Sequence, residues 1–188
     1  MGVNASIEGS NPSFSALDEP AAPATARRPV RLEMTPTADI LDEHDADAAV
    51  CELDLRQFGG VRAFEGPVAT VRCLDDNLLL KQRLAEPGEG RVLVVDGGGS
   101  QYRALLGDQV AELARASGWA GLVVNGAVRD VVGLLQIDVG IKAIGTSPRK
   151  PAKTGDGELD IPVTFGGVTF RPGAMLYSDD DGVVVLDR

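Results

Sequence analysis

Short hydrophobic runs separated by polar turns begin only after an N-terminal stretch that shows no apolar periodicity. In that stretch Pro12, Pro20, Pro23 and Pro29 stand among Ser, Ala and Asn, a pattern that predicts a disordered tail over 1–33 ahead of a single domain over 34–188. From Thr37, a candidate N-cap, the pattern predicts a short helix through Ala38, Ile40 and Leu41. Gly66 to Cys73 alternates as a strand, and Asn77 is a candidate cap for a helix carrying Leu78, Leu79, Leu80 and Leu84, stopped by Pro87-Gly88. Val92 to Val95 and Leu122 to Val124 are continuous apolar runs of strand length. Between them, Asp108 is a candidate N-cap for a helix with Val110, Ala111, Leu113 and Ala114 inward and Gly118 as its stop. A third helix is expected after Arg129-Asp130, with Val131, Leu134 and Leu135 on its apolar face. Strands follow at Ile141–Ile144, Ile161–Phe165, Val168–Phe170, Met175–Tyr177 and Val183–Leu186, with Gly166-Gly167 as a hairpin turn. Alternating strands and helices in the middle and hairpins at the end predict a mixed α/β sandwich rather than a doubly wound sheet.

Composition narrows the chemistry. The 188 residues suit one domain and a tail, and 44% hydrophobic with 24% charged residues is a globular balance. Acidic residues outnumber basic ones 28 to 18. Up to Arg31 the charges cancel, Glu8, Asp18 and Glu19 against Arg27, Arg28 and Arg31, so the net −10 belongs to the domain. That sign argues against direct binding of nucleic acid, which is held by Lys and Arg releasing its counterions. One histidine, His44, and two cysteines, Cys51 and Cys73, exclude zinc fingers, two-His metal sites and C-x-x-C redox pairs. No apolar run approaches the roughly 20 residues of a membrane span. The start Met1-Gly2-Val3-Asn4-Ala5-Ser6 fits the loose N-myristoylation pattern, a short match of the kind chance supplies. The expectation is a cytoplasmic protein without a membrane partner, its two cysteines reduced.

Candidate chemistry sits in loops. Asp96-Gly97-Gly98-Gly99-Ser100 invites a nucleotide or S-adenosylmethionine reading, but Tyr102 stands where the dinucleotide fingerprint needs its third glycine, and no Gly-Lys pair follows. A structural turn needing positive φ or close backbone approach is the simpler account. Leu106-Gly107-Asp108-Gln109 carries more. Twenty residues after Asp108 come Arg129 and Asp130, and both segments are expected just beyond strands, at helix N-termini. There, backbone N–H groups and a guanidinium fork could grip a carboxylate, while Asp108 and Asp130 are hard oxygen donors suited to Mg²⁺ or Mn²⁺. An N-cap with a surface ion pair is the plainer alternative. His44, among Asp42, Glu43, Asp45 and Asp47, reads as a solvated helix end, and Asp179-Asp180-Asp181-Gly182 as a tight turn rather than a calcium loop. Arg149, Lys150 and Lys153 read as a solvated basic loop, with an electrostatic rim for a dianionic substrate as the alternative.

Five segments, Val92–Ser100, Asn125–Asp130, Ile137–Ala143, Gly145–Lys150 and Phe165–Gly173, together resemble the family of the regulator of ribonuclease activity A and the class II 4-hydroxy-4-methyl-2-oxoglutarate aldolases. The likeness covers about residues 36 to 186. It implies an α/β fold of β/β/α sandwich type with a mixed sheet, resembling swivelling domains, assembled as a homotrimer or a dimer of trimers. Aldolase members carry an Asp, twenty residues, then Arg-Asp, and Asp108, Arg129 and Asp130 reproduce that pattern. By resemblance Asp130 is the metal ligand, Arg129 holds the pyruvoyl carboxylate, Asp108 positions a metal-held water, and the backbone of Gly107, Asp108, Gln109 and Val110 binds substrate. The implied cofactor is a divalent cation, Mg²⁺ or Mn²⁺. The implied reaction is cleavage of 4-hydroxy-4-methyl-2-oxoglutarate to pyruvate, with oxaloacetate decarboxylation through the same enolate. Family aldolases also use an acidic side chain from a neighbouring subunit, for which no counterpart is assigned here. The competing expectation is a non-catalytic protein inhibitor of a ribonuclease, presenting its acidic surface to a basic patch.

Overall fold

A computed structural model describes residues 1–2 and 34–187. The expected tail over 1–33 and the body of the N-myristoylation pattern therefore lie outside the described residues, and the following concerns residue 34 onward.

In chain order the elements are α1 (Thr37–His44), β1 (Ala48–Val50), β2 (Arg56–Gln57), β3 (Phe64–Arg72), α2 (Leu78–Ala85), β4 (Val92–Asp96), β5 (Ala104–Leu106), α3 (Asp108–Ala116), β6 (Gly121–Val128) and α4 (Val131–Leu134). There follow β7 (Gly140–Thr146), β8 (Glu158–Leu159), β9 (Val163–Phe165), β10 (Val168–Phe170), β11 (Met175–Ser178) and β12 (Val183–Leu186). The main sheet runs β1-β12-β11-β3-β4-β6-β7-β2. Its centre, β3-β4-β6-β7, is parallel. Its flanks are antiparallel, so the sheet is mixed. β9 and β10 form a separate hairpin through Gly166-Gly167, both at positive φ.

The central runs are continuously apolar because both faces of the sheet are covered. On one face Leu93, Val95, Leu122 and Val124 pack with Leu80 and Leu84 of α2 and with Ala111 and Ala114 of α3. On the other, Val92, Val94 and Val123 meet Phe165 and Phe170 of the hairpin and Leu176 of β11. Leu80 and Leu84, one helical turn apart, are fully buried, each contributing about 1.5–3 kcal/mol of burial. The result is the expected sandwich: a layer of helices, a mixed sheet and a hairpin layer.

Three local expectations are corrected. Thr37 does not cap α1 but is its first residue, and its N–H and hydroxyl both donate to the carboxylate of Asp179, at 2.8 and 2.7 Å. Asn77 does not cap α2 either. Asp76 Oδ1 accepts the Leu78 N–H at 2.9 Å, while Asn77 Nδ2 donates to the Leu105 carbonyl. Helix α4 is a single turn, so only Leu134 is buried and Leu135 stands 49% exposed. The Asp179–Gly182 segment is a tight turn closed by the Asp179 N–H on the Gly182 carbonyl at 3.1 Å. Asp179 Oδ1 also accepts the N–H groups of Asp181 and Gly182.

Cys51 and Cys73 are buried free thiols. Burial, with Asp76 and Asp96 nearby, pushes the Cys73 thiol up to about 12, so it stays protonated and inert. Trp119, 4% exposed, sits where the chain enters β6, its Nε1 donating to the Glu86 carbonyl and the Arg91 guanidinium 5.0 Å from its ring. Among the described residues no helix is long and apolar enough to cross a membrane.

Candidate active site

The parallel strands all deliver their C-terminal ends to one edge, where turns open into helices and ligands are commonly bound in α/β sheets. Two such turns meet there. β5 is short and pairs with the last residues of β6, Ala104 with Ala127 and Leu106 with Val128. It thereby brings Gly107 and the start of α3 beside Arg129 and Asp130. The Arg129 N–H donates to the Leu106 carbonyl at 2.9 Å and ties the two turns together. Glycine at 107 leaves room for the Asp130 side chain: a Cβ there would lie 2.5 Å from Asp130 Oδ2 and 3.1 Å from Arg129 Cγ, so that side chain would have to shift.

Asp130 occupies the left-handed region, φ 56 and ψ 40, directly before α4. A non-glycine residue there stores strain of order 1–3 kcal/mol, and such residues concentrate at functional sites. Here the conformation turns the chain out of β6 at once and leaves the carboxylate beside Gly107. Asp130 Oδ2 accepts from Arg129 Nε at 3.0 Å, which leaves the terminal guanidinium nitrogens of Arg129 free of any ion pair among the described residues. Asp108 is the first residue of α3, not its cap, and its Oδ1 accepts the Gln109 N–H at 2.7 Å. Gly133 lets α4 pass close by, since a Cβ there would lie 3.2 Å from Asp108 Cβ.

These residues line one cleft of about 230 Å³, below the roughly 300–1,000 Å³ of drug-sized ligand pockets and suited to a small acid. All six residues singled out in the sequence, Gly107, Asp108, Gln109, Val110, Arg129 and Asp130, border it. Asn77, Lys81, Lys150 and Lys153 complete the wall. Asn77, a candidate helix cap by sequence, is instead a buried wall residue whose Oδ1 has no hydrogen-bond partner among the described residues. Lys81 carried no sequence signal beyond its type. Arg149 of the basic loop turns to Tyr102, donating to its hydroxyl at 2.5 Å.

The donor set bears on a metal. Among the described residues no group of three or more His, Cys, Asp or Glu is placed to hold an ion. Asp130 and Asp108 supply two hard oxygen donors, which fits Mg²⁺ or Mn²⁺ keeping most of its waters and does not fit a soft or tightly caged ion.

The glycine turn after β4 is a different object. Gly97 and Gly99 donate to the Asn125 carbonyl at 3.0 and 3.1 Å, Ser100 to the Gly97 carbonyl at 3.2 Å, and Gly98 to Asp96 Oδ1 at 3.1 Å. Gly98 and Gly99 lie at positive φ. With all four amides bonded within the protein, the turn offers no anion cradle, and the structural account of it holds.

Comparison with known proteins adds the following. The RraA-like family profile, described as Aldolase/RraA, matches residues 37–185. A Geobacillus kaustophilus structure named S-adenosylmethionine:2-dimethylmenaquinone methyltransferase is 44% identical, with TM-score 0.81 over 82% of this chain and 96% of its own. The RNA-processing inhibitor RraA from Thermus thermophilis is 42% identical, with TM-score 0.79 over 81% of this chain and 92% of its own. Streptomyces coelicolor RraAS2, named an unusual member of the RNase ES inhibitor RraA family, is 29% identical, with TM-score 0.65 over 79% and 77%.

Proposed function

The chain belongs to the RraA-like (Aldolase/RraA) family, which includes both aldolases and ribonuclease inhibitors, and on that premise we propose that it is a divalent-metal-dependent lyase. It cleaves 4-hydroxy-4-methyl-2-oxoglutarate to pyruvate and, as a secondary activity, decarboxylates oxaloacetate. The observation that carries this reading is the convergence of Asp108, Arg129 and Asp130 with the first turn of α3 in one small cleft.

In the cleavage the C3–C4 bond breaks and its electron pair becomes the enolate of one pyruvate. The 4-hydroxyl loses its proton and becomes the keto group of the second pyruvate, and C3 is then protonated. The free terminal nitrogens of Arg129 grip the C1 carboxylate as a fork, and the N–H of Asp108, the amide at the start of α3 without a partner among the described residues, orients the same end of the substrate. Asp130 would hold the cation, and Asp108 is the second hard oxygen donor on the same cleft wall. When bound, Mg²⁺ or Mn²⁺ would supply positive charge that stabilises the developing enolate. Asp108 Oδ2, the oxygen not engaged by Gln109, orients a water to take the proton from the 4-hydroxyl. No Schiff-base lysine or histidine is needed, in keeping with the one histidine of the chain, His44, being exposed and absent from the cleft wall.

The test is coupled pyruvate release from 4-hydroxy-4-methyl-2-oxoglutarate and from oxaloacetate, with and without Mg²⁺. Activity should vanish with chelator, return with metal, and be absent in Asp130→Ala; turnover that survives both treatments would defeat the proposal. We read the assembly as a homotrimer or a dimer of trimers, which light scattering measures. The second reading, inhibition of a ribonuclease, is favoured by the 42% identity to a protein named as an RNA-processing inhibitor. It predicts that purified Asp130→Ala still inhibits a ribonuclease it binds.

A further inference from the structure

Three consecutive side chains just beyond β3 each tie down a different part of the cleft's surroundings. Asp75, at φ 54 in the left-handed region, accepts the Ser100 hydroxyl at 2.7 Å and so holds the turn after β4. Asn77 donates from Nδ2 to the Leu105 carbonyl at 2.9 Å and holds β5, just ahead of Gly107. Asp76, between them, is 2% exposed and surrounded by neutral donors. Its Oδ1 accepts the Leu78 N–H at 2.9 Å, which caps α2, and the Gly155 N–H at 3.3 Å. Its Oδ2 accepts the Thr154 N–H, and the Thr154 hydroxyl lies 3.0 Å away. That hydroxyl has one proton and a second carboxylate in reach, Asp156 Oδ2 at 2.7 Å, so the amides carry most of the clamp.

A helix cap needs one oxygen. The second oxygen of Asp76 is committed to the loop between β7 and β8, whose Lys150, Pro151 and Lys153 border the cleft, while α2 contributes Lys81 to the same wall. The loop has one further tie to this segment. The Ala152 N–H donates to the Asp75 carbonyl at 2.8 Å, and the Ala152 carbonyl accepts the Asn77 N–H at 3.3 Å. The wall at Lys153 is thus held between two anchors, one of backbone and one of the Asp76 carboxylate. Asp76 makes no hydrogen bond to Asp108, Arg129 or Asp130. Those three stand at the ends of β5 and β6, joined by the bond from the Arg129 N–H to the Leu106 carbonyl.

We propose that Asp76 is a positioning residue for the cleft: its Oδ2 holds residues 153–155 against the start of α2 and keeps that side of the wall closed before a small acid arrives. The inference rests on the lyase reading of the cleft and adds that acid binding, rather than the bond-breaking step, depends on Asp76. A wall that opens in the free protein must be ordered again when the acid binds, so apparent affinity falls by the closed fraction. The reacting groups keep their places in the bound complex, so kcat is retained.

The variant Asp76→Asn separates cap from clamp. Its amide oxygen can still cap α2, while its NH₂ group meets the Thr154 N–H, donor against donor. Hydrogen–deuterium exchange over residues 153–155 should speed up about tenfold or more, with α3 and β6 unchanged. Calorimetric binding of pyruvate in Mg²⁺ should weaken about tenfold, and KM for pyruvate release should rise by a similar factor with kcat within about twofold. A residue that served the fold alone would lower the melting temperature and leave Kd and KM of the folded protein unchanged. That pattern overturns the inference, as does a fall in kcat at constant KM. Thr154→Val keeps the amide bond to Oδ2 and should weaken pyruvate binding less, about two- to threefold. It carries the test if Asp76→Asn does not fold, and unchanged binding there overturns the inference. Pyruvate bound more weakly by Asp76→Asn, with no turnover by the wild type, would sink the lyase reading and leave the clamp standing. Turnover with Kd and KM unmoved in Asp76→Asn would do the reverse, and a wild type that does not bind pyruvate would overturn both.

Discussion

The Asp96–Ser100 turn after β4 and the Leu106–Gln109 turn after β5 leave the sheet at the same edge, and each contains glycine where the chain passes another strand closely. They differ in what the glycine makes room for. At Gly97 a Cβ would meet the Asn125 carbonyl at 2.8 Å and Leu105 Cδ1 at 2.6 Å, which are backbone and core. At Gly107 it would meet the carboxylate of Asp130. The first turn closes its amides on its own chain, while the second presents the start of a helix and two carboxylates to an open cleft. A run of three glycines is thus the structural turn, and the plainer Gly-Asp is the one that can act on a ligand.

Substitutions can sharpen or break that contrast. The largest effect is expected from Asp130→Asn, which keeps a residue tolerant of the left-handed region while removing the charge; pyruvate release should fall about 10²–10³-fold, with the melting temperature little changed. Gly107→Ala should follow, because the added methyl displaces the Asp130 carboxylate rather than backbone; roughly tenfold lower kcat/KM in a protein that melts as the wild type does is the expected result. Gly97→Ala should behave the opposite way, losing about 1–3 kcal/mol by overpacking in denaturant unfolding, with turnover per folded molecule preserved. If Gly97→Ala proves inactive but stable, the division between the two turns is wrong.

The smallest effect concerns pH. Burial raises the Asp76 and Asp179 carboxyls, but the hydrogen bonds donated to them win and hold both below the ordinary 3.8. Groups depressed in the folded state contribute stability that is complete above the unfolded value and is lost as pH falls through the folded one. Melting temperature should therefore show no pH dependence from this pair between neutrality and about pH 5, where its contribution is complete, then drop below about pH 4. Asp76→Asn should begin less stable and show a shallower acid drop.

What could be read in the sequence followed from residues that report their own surroundings. Val92–Val95 and Leu122–Val124 are apolar at every position because both faces are covered, and that signal is local. The same holds for Gly166-Gly167, whose type suits the positive φ it adopts. The strands β1, β2, β5 and β8 escaped notice because two or three residues carry no period. The misassigned caps failed for another reason. Thr37 is of the right type, but the group that satisfies the start of α1 is Asp179, 142 positions away. The Asp108, Arg129 and Asp130 triad was legible through its spacing and the family likeness, whereas Lys81 was not, because only the Asp76 clamp brings α2 to the β7–β8 loop.

The placement of Trp119 has a practical consequence. It is the only tryptophan in the chain and lies at the entrance to β6, while the cleft opens beyond its exit. Seven strand steps of about 3.3 Å separate the two ends of β6, roughly 23 Å. Indole emission should therefore report chiefly the integrity of the sheet and of the Arg83–Glu86 end of α2 that packs against the ring. A fluorescence-monitored melt without added acid or metal, either of which would raise the melting temperature by binding the folded state, can then rank the variants above by stability.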